Sequence, residues 1–133
     1  MPGLRFFLDR SLGRHQVPAA LRADGWDLVT LSEHYGIPAD QTVEDVEWLE
    51  LAGRQRWPVL MKDERIRYRP AERAAVIAHG VTAFYLTSGN LSAAQMSEFY
   101  ISHRDSIWRL AAIPGPSLFA VSRTGVRRID LSD

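Results

Sequence analysis

Four short apolar runs, separated by segments with helical spacing, most constrain how this chain of 133 residues can fold. Such runs, bounded by turn residues, predict buried strands. Strands that alternate with helices favour a mostly parallel sheet with helices on both faces. The sequence therefore predicts a three-layer α/β/α sandwich. The runs are "LRFFL" (4–8), "WDLVTL" (26–31), "PVLMK" (58–62) and "VTAFYLTSGN" (81–90).

Helix start and stop signals divide the first half of the chain. Pro18 and Gly25 are expected to bracket a helix after the first run. The segment "SEHYGIPADQ" is rich in turn formers and is expected to be a loop. Thr42 is expected to cap the following helix. That helix should bury Val46 and Leu49.

The second half carries equally clear signals. Pro70 and Gly80 bracket "PAERAAVIAH", which predicts a compact helix. One long helix is expected over 92–112, before "IPGP" interrupts the pattern. The last segment predicts a C-terminal β-hairpin that turns at Thr124 and Gly125. A single domain over 1–133 is expected from the length and from the lack of a linker or repeat.

Composition narrows the class of protein. The chain has no cysteine, which excludes disulfides and thiolate metal sites and favours a cytoplasmic location. No signal peptide is apparent, and no apolar run approaches the roughly 18 residues of a membrane span, so no membrane association is expected. The formal net charge is +0, so the overall charge gives no indication of nucleic-acid binding.

Acidic side chains follow two of the predicted strands where each one ends. Asp9 comes directly after the first run, and Asp63 comes directly after the third. Ligands of open parallel sheets bind outside the carboxyl ends of the strands, so both acids are expected at one edge. A further acid should come from the helix after the second strand. The residue pattern leaves it open among Glu44, Asp45 and Glu47.

Neutral oxygen donors follow the fourth strand, at Thr87, Ser88 and Asn90. Ser88 or Asn90 would lie opposite Asp9 if the first and fourth strands were neighbours. Each acid taken alone is more often a turn or helix-start residue. Together on one edge, however, carboxylates repel one another unless a cation neutralises them. Hard oxygen ligands suit Mg²⁺ or Mn²⁺, and a metal-activated water could attack a phosphate.

Three segments, "FFLDRSLG", "EDVEWLELAG" and "WPVLMKDERIRYRP", resemble the PIN-like domain family, especially its branch of VapC-type toxins. The resemblance covers roughly residues 4–90. It implies that Asp9, Asp45 and Asp63 are the catalytic and metal-binding residues. It also implies an endoribonuclease that uses Mg²⁺ or Mn²⁺, acts on RNA and is inhibited by a cognate antitoxin. Whether the protein forms a homodimer is left open.

The sequence departs from the family pattern in two places. Arg10 and Ser11 stand where many relatives have Glu or Asn, and no acid follows the fourth strand. Fewer carboxylates predict either one metal instead of two or a weakened catalyst. Ser11, Glu44, Ser88 and Asn90 are therefore candidate auxiliary residues.

A basic cluster follows the third acid and is expected to bind the RNA backbone, with Tyr68 available to stack on a base. Alternating arginines are more often a solvated loop, so this role depends on the neighbouring acids. The second hypothesis is a catalytically silent PIN-like module that binds RNA or a protein partner. The cluster comprises Lys62, Arg65, Arg67 and Arg69, with Arg73, Arg127 and Arg128 as extensions.

Two other acid-based sites fit less well. A phosphorelay receiver needs a lysine after its fifth strand, but Lys62 is the only lysine of the chain. A dehalogenase-like phosphatase needs a second Asp two residues after the first, and that position is Ser11. Both classes are disfavoured by the chemistry that their sites require.

Overall fold

The structure is a computed structural model that describes residues 4–62, 66 and 68–131. One sheet has the strand order β2-β1-β3-β4-β5-β6, and only the β5–β6 pair is antiparallel. This arrangement confirms the mostly parallel sheet and the C-terminal hairpin. The strands are β1 (Phe6–Leu8), β2 (Leu28–Thr30), β3 (Val59–Met61), β4 (Thr82–Leu86), β5 (Ser117–Val121) and β6 (Val126–Ile129).

Six α-helices connect the strands, and none of the helices in the described ranges is long and apolar enough to cross a membrane. There are also two short 3₁₀ turns. One, Arg10–Leu12, follows β1, and the other, Ala39–Gln41, precedes the third helix. The helices are α1 (Gln16–Ala23), α2 (Leu31–Tyr35), α3 (Asp45–Gln55), α4 (Pro70–His79), α5 (Ala93–Ser102) and α6 (Arg104–Ala111).

Side chains alternate between the two faces of the sheet and form two separate cores. Phe7, Val59 and Met61 point to one face, where they pack with α2, α3 and α4. Phe6 and Leu60 point to the other face, where they pack with α1, α5 and α6. Because both faces are covered, the strands need apolar residues at every position. This requirement explains why the sequence contains continuous apolar runs rather than an alternating pattern.

Helices α3 and α4 lie side by side and run in the same direction. Gly53 of α3 packs against the main chain of His79 at the C-terminal end of α4, and a Cβ atom on Gly53 would lie 2.4 Å from the His79 carbonyl oxygen. Asp45 and Glu72 interact at the opposite, N-terminal ends of the two helices. Both N-termini therefore reach the edge of the sheet where the parallel strands end.

Three local expectations are wrong. The predicted loop after β2 contains α2, which begins with a capping box in which Thr30 and Glu33 bond each other's backbone N–H groups. Glu44, rather than Thr42, occupies the N-cap position of α3 and makes no side-chain capping bond, while the Thr42 hydroxyl donates to the Ala39 carbonyl at 3.1 Å. Val46 is 38% exposed because it lies on the outer side of that helix.

The predicted long helix over 92–112 is also wrong. It is two helices that meet at His103, whose backbone (φ −112°, ψ 19°) leaves the helical conformation. The His103 Nε2 atom lies 2.9 Å from the Ser122 carbonyl oxygen, at the hairpin between β5 and β6. This contact joins residues far apart in the chain, so helical periodicity gives no sign of it.

Gly53→Ala is expected to lower the free energy of unfolding by up to about 2 kcal/mol, because overpacking usually costs about 1–3 kcal/mol. The added methyl group would force α3 and α4 apart, and this cost outweighs a gain of about 1 kcal/mol in helix propensity. Thermal melting checks it. Gly89→Ala is the matched control, since a Cβ atom there meets nothing within 4 Å. A melting temperature of Gly53→Ala at or above that of wild type would contradict this packing.

Candidate active site

Asp9 lies directly after β1 and is 8% exposed. Its carboxylate caps the 3₁₀ turn Arg10–Leu12 by accepting the Ser11 backbone N–H at 3.1 Å, and it also accepts the Ser11 hydroxyl. The pKa of Asp9 is raised to about 7, mainly by burial and also by the charge of Asp45, against the lowering effect of the Ser11 hydrogen bonds. Asp9 is therefore a carboxyl group that would bind either a proton or a cation at neutral pH.

Ser11 connects Asp9 to the end of β3. The Lys62 backbone N–H donates to the Ser11 hydroxyl oxygen at 2.9 Å, while that hydroxyl donates to Asp9. The Asp9 backbone N–H in turn donates to the Leu60 carbonyl at 3.3 Å. The point where the chain leaves β3 is thus fixed relative to Asp9. Asp63, the next residue, lies outside the described residues.

Asp45 is the first residue of α3. Among Glu44, Asp45 and Glu47, it is the acid whose charge acts on Asp9. Trp48 Nε1–H donates to its carboxylate at 2.9 Å, which fixes the side chain. Glu47 instead faces Tyr35, whose pKa is raised mainly by burial and then by the charge of Glu47. Glu44 occupies the exposed N-cap position. Of the three acids left open by the sequence, the geometry favours Asp45.

Glu72, in the first turn of α4, is a site residue that the sequence analysis missed. Its pKa is raised by burial first, and then by a hydrogen bond to Asp45 and by the charge of Asp45. Arg69 lies close to both acids, 3.7 Å from Asp45 and 3.5 Å from Glu72. The sequence does contain a signal: an acid two residues after Pro70 belongs to a helix N-terminus, and helix N-termini reach the edge where parallel strands end.

Arg10 and Arg14 fasten the loop that leads into α3. Arg10 donates to the carbonyl oxygens of Asp40 at 2.9 Å and Val43 at 2.6 Å. Arg14 pairs with the buried Asp40 carboxylate at 2.7 Å. Arg10, a departure from the family pattern, therefore acts on the backbone just before Asp45. A cavity of about 380 Å³ lies beside these groups and reaches Asp9.

The predicted RNA-binding cluster is described in part. Arg65 and Arg67 lie outside the described residues. Lys62 is half-buried, Tyr68 is 66% exposed, and Arg69 is paired with the two acids described above. Of the cluster, Arg69 is thus placed at the acidic edge.

The first and fourth strands are not neighbours, so the condition for placing Ser88 or Asn90 opposite Asp9 is not met. β3 lies between β1 and β4, since both pair with it. Ser88 and Asn90 are exposed and follow a strand that is not adjacent to Asp9. The Thr87 backbone N–H donates to Val121, at the end of β5. The additional carboxylate next to Asp45 comes from α4, through Glu72, rather than from the end of β4.

The donor chemistry of this edge fits a hard divalent cation, since its buried carboxylates offer oxygen ligands and carry unfavourable charge. Within 4–62, 66 and 68–131, however, no group of three or more His, Asp or Glu side chains is arranged to hold a metal ion. Asp9 and Asp45 interact, but by themselves they do not form such a group.

Comparisons with known proteins point to one family. Residues 4–88 match the family model described as a PIN-like domain. The chain is also 36% identical over 123 residues to VapC45 of Mycobacterium tuberculosis, a protein named as a candidate ribonuclease, and the match covers 92% of this chain and 89% of that protein. No solved structure gives a significant match.

Asp9→Asn is expected to flatten the pH dependence of stability in metal-free buffer. Because folding raises the pKa of Asp9 above its ordinary value of 3.8, the folded state binds the proton more tightly. Stability contributed by this group is therefore present below about pH 4 and is lost as the pH rises to about 7. The stability that Asp9 contributes in this way is at most roughly 4 kcal/mol, at about 1.4 kcal/mol for each unit by which folding raises its pKa.

Melting curves in EDTA between pH 5 and pH 8 check this. Asp9→Asn should melt at or above wild type at pH 8, and its melting temperature should change less with pH. Asp27→Asn, at an exposed residue paired with Arg5, serves as the control and should keep the wild-type profile. A lower melting temperature of Asp9→Asn at every pH would show that the carboxylate stabilises the fold.

Proposed function

The chain belongs to the PIN-like domain family, and we propose that it is a metal-dependent endoribonuclease, the toxin of a toxin–antitoxin pair. The observation that carries this proposal is the buried Asp9 carboxyl group at the end of β1, facing Asp45 of α3. The likeness to VapC45 supports the ribonuclease activity. We further propose that the chain acts as one domain in the cytoplasm.

Asp9, Asp45 and Asp63 would bind the metal, Mg²⁺ or Mn²⁺. Glu72 adds a further carboxylate through its hydrogen bond to Asp45. A bound divalent cation would lower the pKa of a water molecule and polarise the scissile phosphate. The protein's own residues orient the ligands: Ser11 holds Asp9, and Trp48 holds Asp45.

The basic residues around this edge would hold the RNA. Lys62 and Arg69 lie beside the acids, and Arg65 and Arg67 stand between them in the sequence. Guanidinium groups bind phosphate oxygens by charge-assisted hydrogen bonds. The exposed Tyr68 ring would stack on a base. Ser11 would act as an auxiliary residue through Asp9, whereas the positions of Ser88 and Asn90 support no such role.

The antitoxin would be a co-encoded protein that inhibits this site. The oligomeric state of the protein would be measured in the presence of that partner.

The second candidate function is a catalytically silent module that binds RNA or a protein. It is favoured by the lack of a complete metal-ligand group in the described part of the chain. Calorimetry with MnCl₂ separates the two, since a silent module gives no binding heat above background.

Loss of a metal-binding carboxylate is expected to remove cleavage without unfolding the protein. Asp9→Asn and Asp45→Asn should abolish measurable Mn²⁺ binding and cleavage of single-stranded RNA. Glu72→Gln should weaken Mn²⁺ binding by about 10- to 100-fold, as is typical when a hydrogen-bond partner of a metal ligand is lost. Calorimetry and a fluorogenic RNA substrate provide the two readouts.

Glu47→Gln is the matched control for these variants, since Glu47 lies on the same helix as Asp45 but faces Tyr35. It should keep both metal binding and cleavage. Equal losses in Glu47→Gln and Asp45→Asn would show a general effect of charge and would remove Asp45 from the site.

Replacing Arg65 and Arg67 together by Ala is expected to reduce the salt dependence of RNA binding. Each phosphate contact on a single strand contributes a slope of about −0.7 in a plot of log affinity against log salt concentration. Loss of two contacts should therefore make the slope shallower by about 1.4. Fluorescence anisotropy in EDTA measures binding without cleavage. The control is the double variant Arg5→Ala/Arg54→Ala, which removes the same charge from the opposite edge of the sheet. If the two double variants have the same salt slope, Arg65 and Arg67 do not contact phosphate.

A further inference from the structure

The peptide group that joins Met61 to Lys62, at the end of β3, is held by side chains on both of its sides. Its N–H donates to the Ser11 hydroxyl oxygen at 2.9 Å. Its carbonyl oxygen accepts the Tyr100 hydroxyl at 2.6 Å. The two hydroxyl groups come from different parts of the fold, one from the turn after β1 and one from α5. A peptide plane bonded at both its donor and its acceptor cannot rotate without breaking one of these bonds.

Tyr100 is fully buried on the face of the sheet opposite α3 and α4. Its hydroxyl also lies 3.3 Å from the carbonyl oxygen of Phe84, in the middle of β4, so it contacts the main chain of two neighbouring strands. Burial, and then the charge of Asp9, raise the pKa of Tyr100. Tyr100 also lies outside residues 4–88, the part of the chain that matches the family model.

We infer that Tyr100 is a positioning residue for the metal-binding edge, and that its hydroxyl acts through the Met61–Lys62 peptide group. This inference rests on the proposed function. The pinned peptide group fixes the direction in which the chain leaves β3, one residue before Asp63. It also fixes the Lys62 N–H that holds Ser11, and Ser11 in turn holds Asp9. A single buried hydroxyl therefore sets the placement of Asp9 and the course of the chain toward Asp63.

A buried hydroxyl could instead contribute only to stability, and the same helix offers a control for that. Ser97 is also buried on α5, one turn before Tyr100, and its hydroxyl donates to the Ala93 carbonyl at 2.9 Å within the helix. Ser97→Ala thus removes a buried side-chain hydrogen bond to a carbonyl oxygen without touching β3. Tyr100→Phe removes the hydroxyl and keeps the ring.

The experiment measures Mn²⁺ affinity by calorimetry for the full-length wild type, Tyr100→Phe and Ser97→Ala, with melting curves in EDTA alongside. Tyr100→Phe should bind Mn²⁺ about 10- to 100-fold more weakly, the range for residues that orient metal ligands. Ser97→Ala should bind as wild type does, whatever it loses in melting temperature. With RNA, Tyr100→Phe should lower kcat and leave the KM within about twofold, because the transition state is affected and the RNA contacts are not.

Wild-type Mn²⁺ affinity in Tyr100→Phe would overturn the inference and leave the proposed function intact. Equal losses in Tyr100→Phe and Ser97→Ala would also overturn it. If the wild-type protein binds no Mn²⁺, both the proposed function and the inference are wrong.

A second measurement uses wild type alone and applies even if Tyr100→Phe does not fold. Mg²⁺, which is diamagnetic, is titrated into isotopically labelled protein. The Met61 carbonyl and Lys62 amide resonances should shift with the same midpoint as the Asp9 side-chain carboxyl resonance, while the Thr82 amide, at the opposite end of β4, should not. Met61 and Lys62 resonances that stay fixed at saturating Mg²⁺ would overturn the inference.

Discussion

Removal of the Asp9 carboxyl group from water is the constraint on which the acidic edge depends. A buried carboxylate needs hydrogen-bond donors, a proton or a cation to offset its lost hydration. Ser11 supplies two donors, while Asp45 adds further negative charge. Arg69, close to Asp45 and Glu72, brings a positive charge to the same edge. Burial and the charge of Asp45 outweigh the Ser11 donors, so Asp9 is unfavourable as a bare anion and suited to bind a proton or a cation.

Much of the fold could be predicted from the sequence because burial on both faces leaves a strong pattern. The continuous apolar runs gave the positions of β1 to β4, and the Pro70 and Gly80 signals gave α4 to the residue. Strand order could not be obtained in this way, since apolar runs carry no record of which strand lies beside which. The expectation about Ser88 failed for that reason, since β3 lies between β1 and β4.

The candidate site, like the fold, could be predicted from the sequence only in part. The positions of Asp9 and of one acid among Glu44, Asp45 and Glu47 could be predicted because they follow element ends that the sequence marks, and the family resemblance then singled out Asp45. Glu72 has only the weak signal of an acid in the first turn of a helix. Tyr100 could not be predicted at all, because its role arises from contacts between residues distant in the chain. Tyr100, 39 positions after Met61, looks like an ordinary core aromatic residue in the sequence. The positions of acids at element ends are therefore readable from sequence, whereas the hydrogen bonds that orient them are not.

The parallel packing of α3 and α4 also bears on why these acids are tolerated. Two helices that run side by side in one direction place their dipoles in the less favourable relative orientation, and both positive ends meet at the N-termini. Asp45 and Glu72 occupy these two ends. Their carboxylates repel each other, but each also screens the partial positive charge of its own helix. Asp45 and Glu72 thereby reduce the unfavourable electrostatic interaction between the two helices, so the charges that the proposed site would use also favour the packing of α3 and α4.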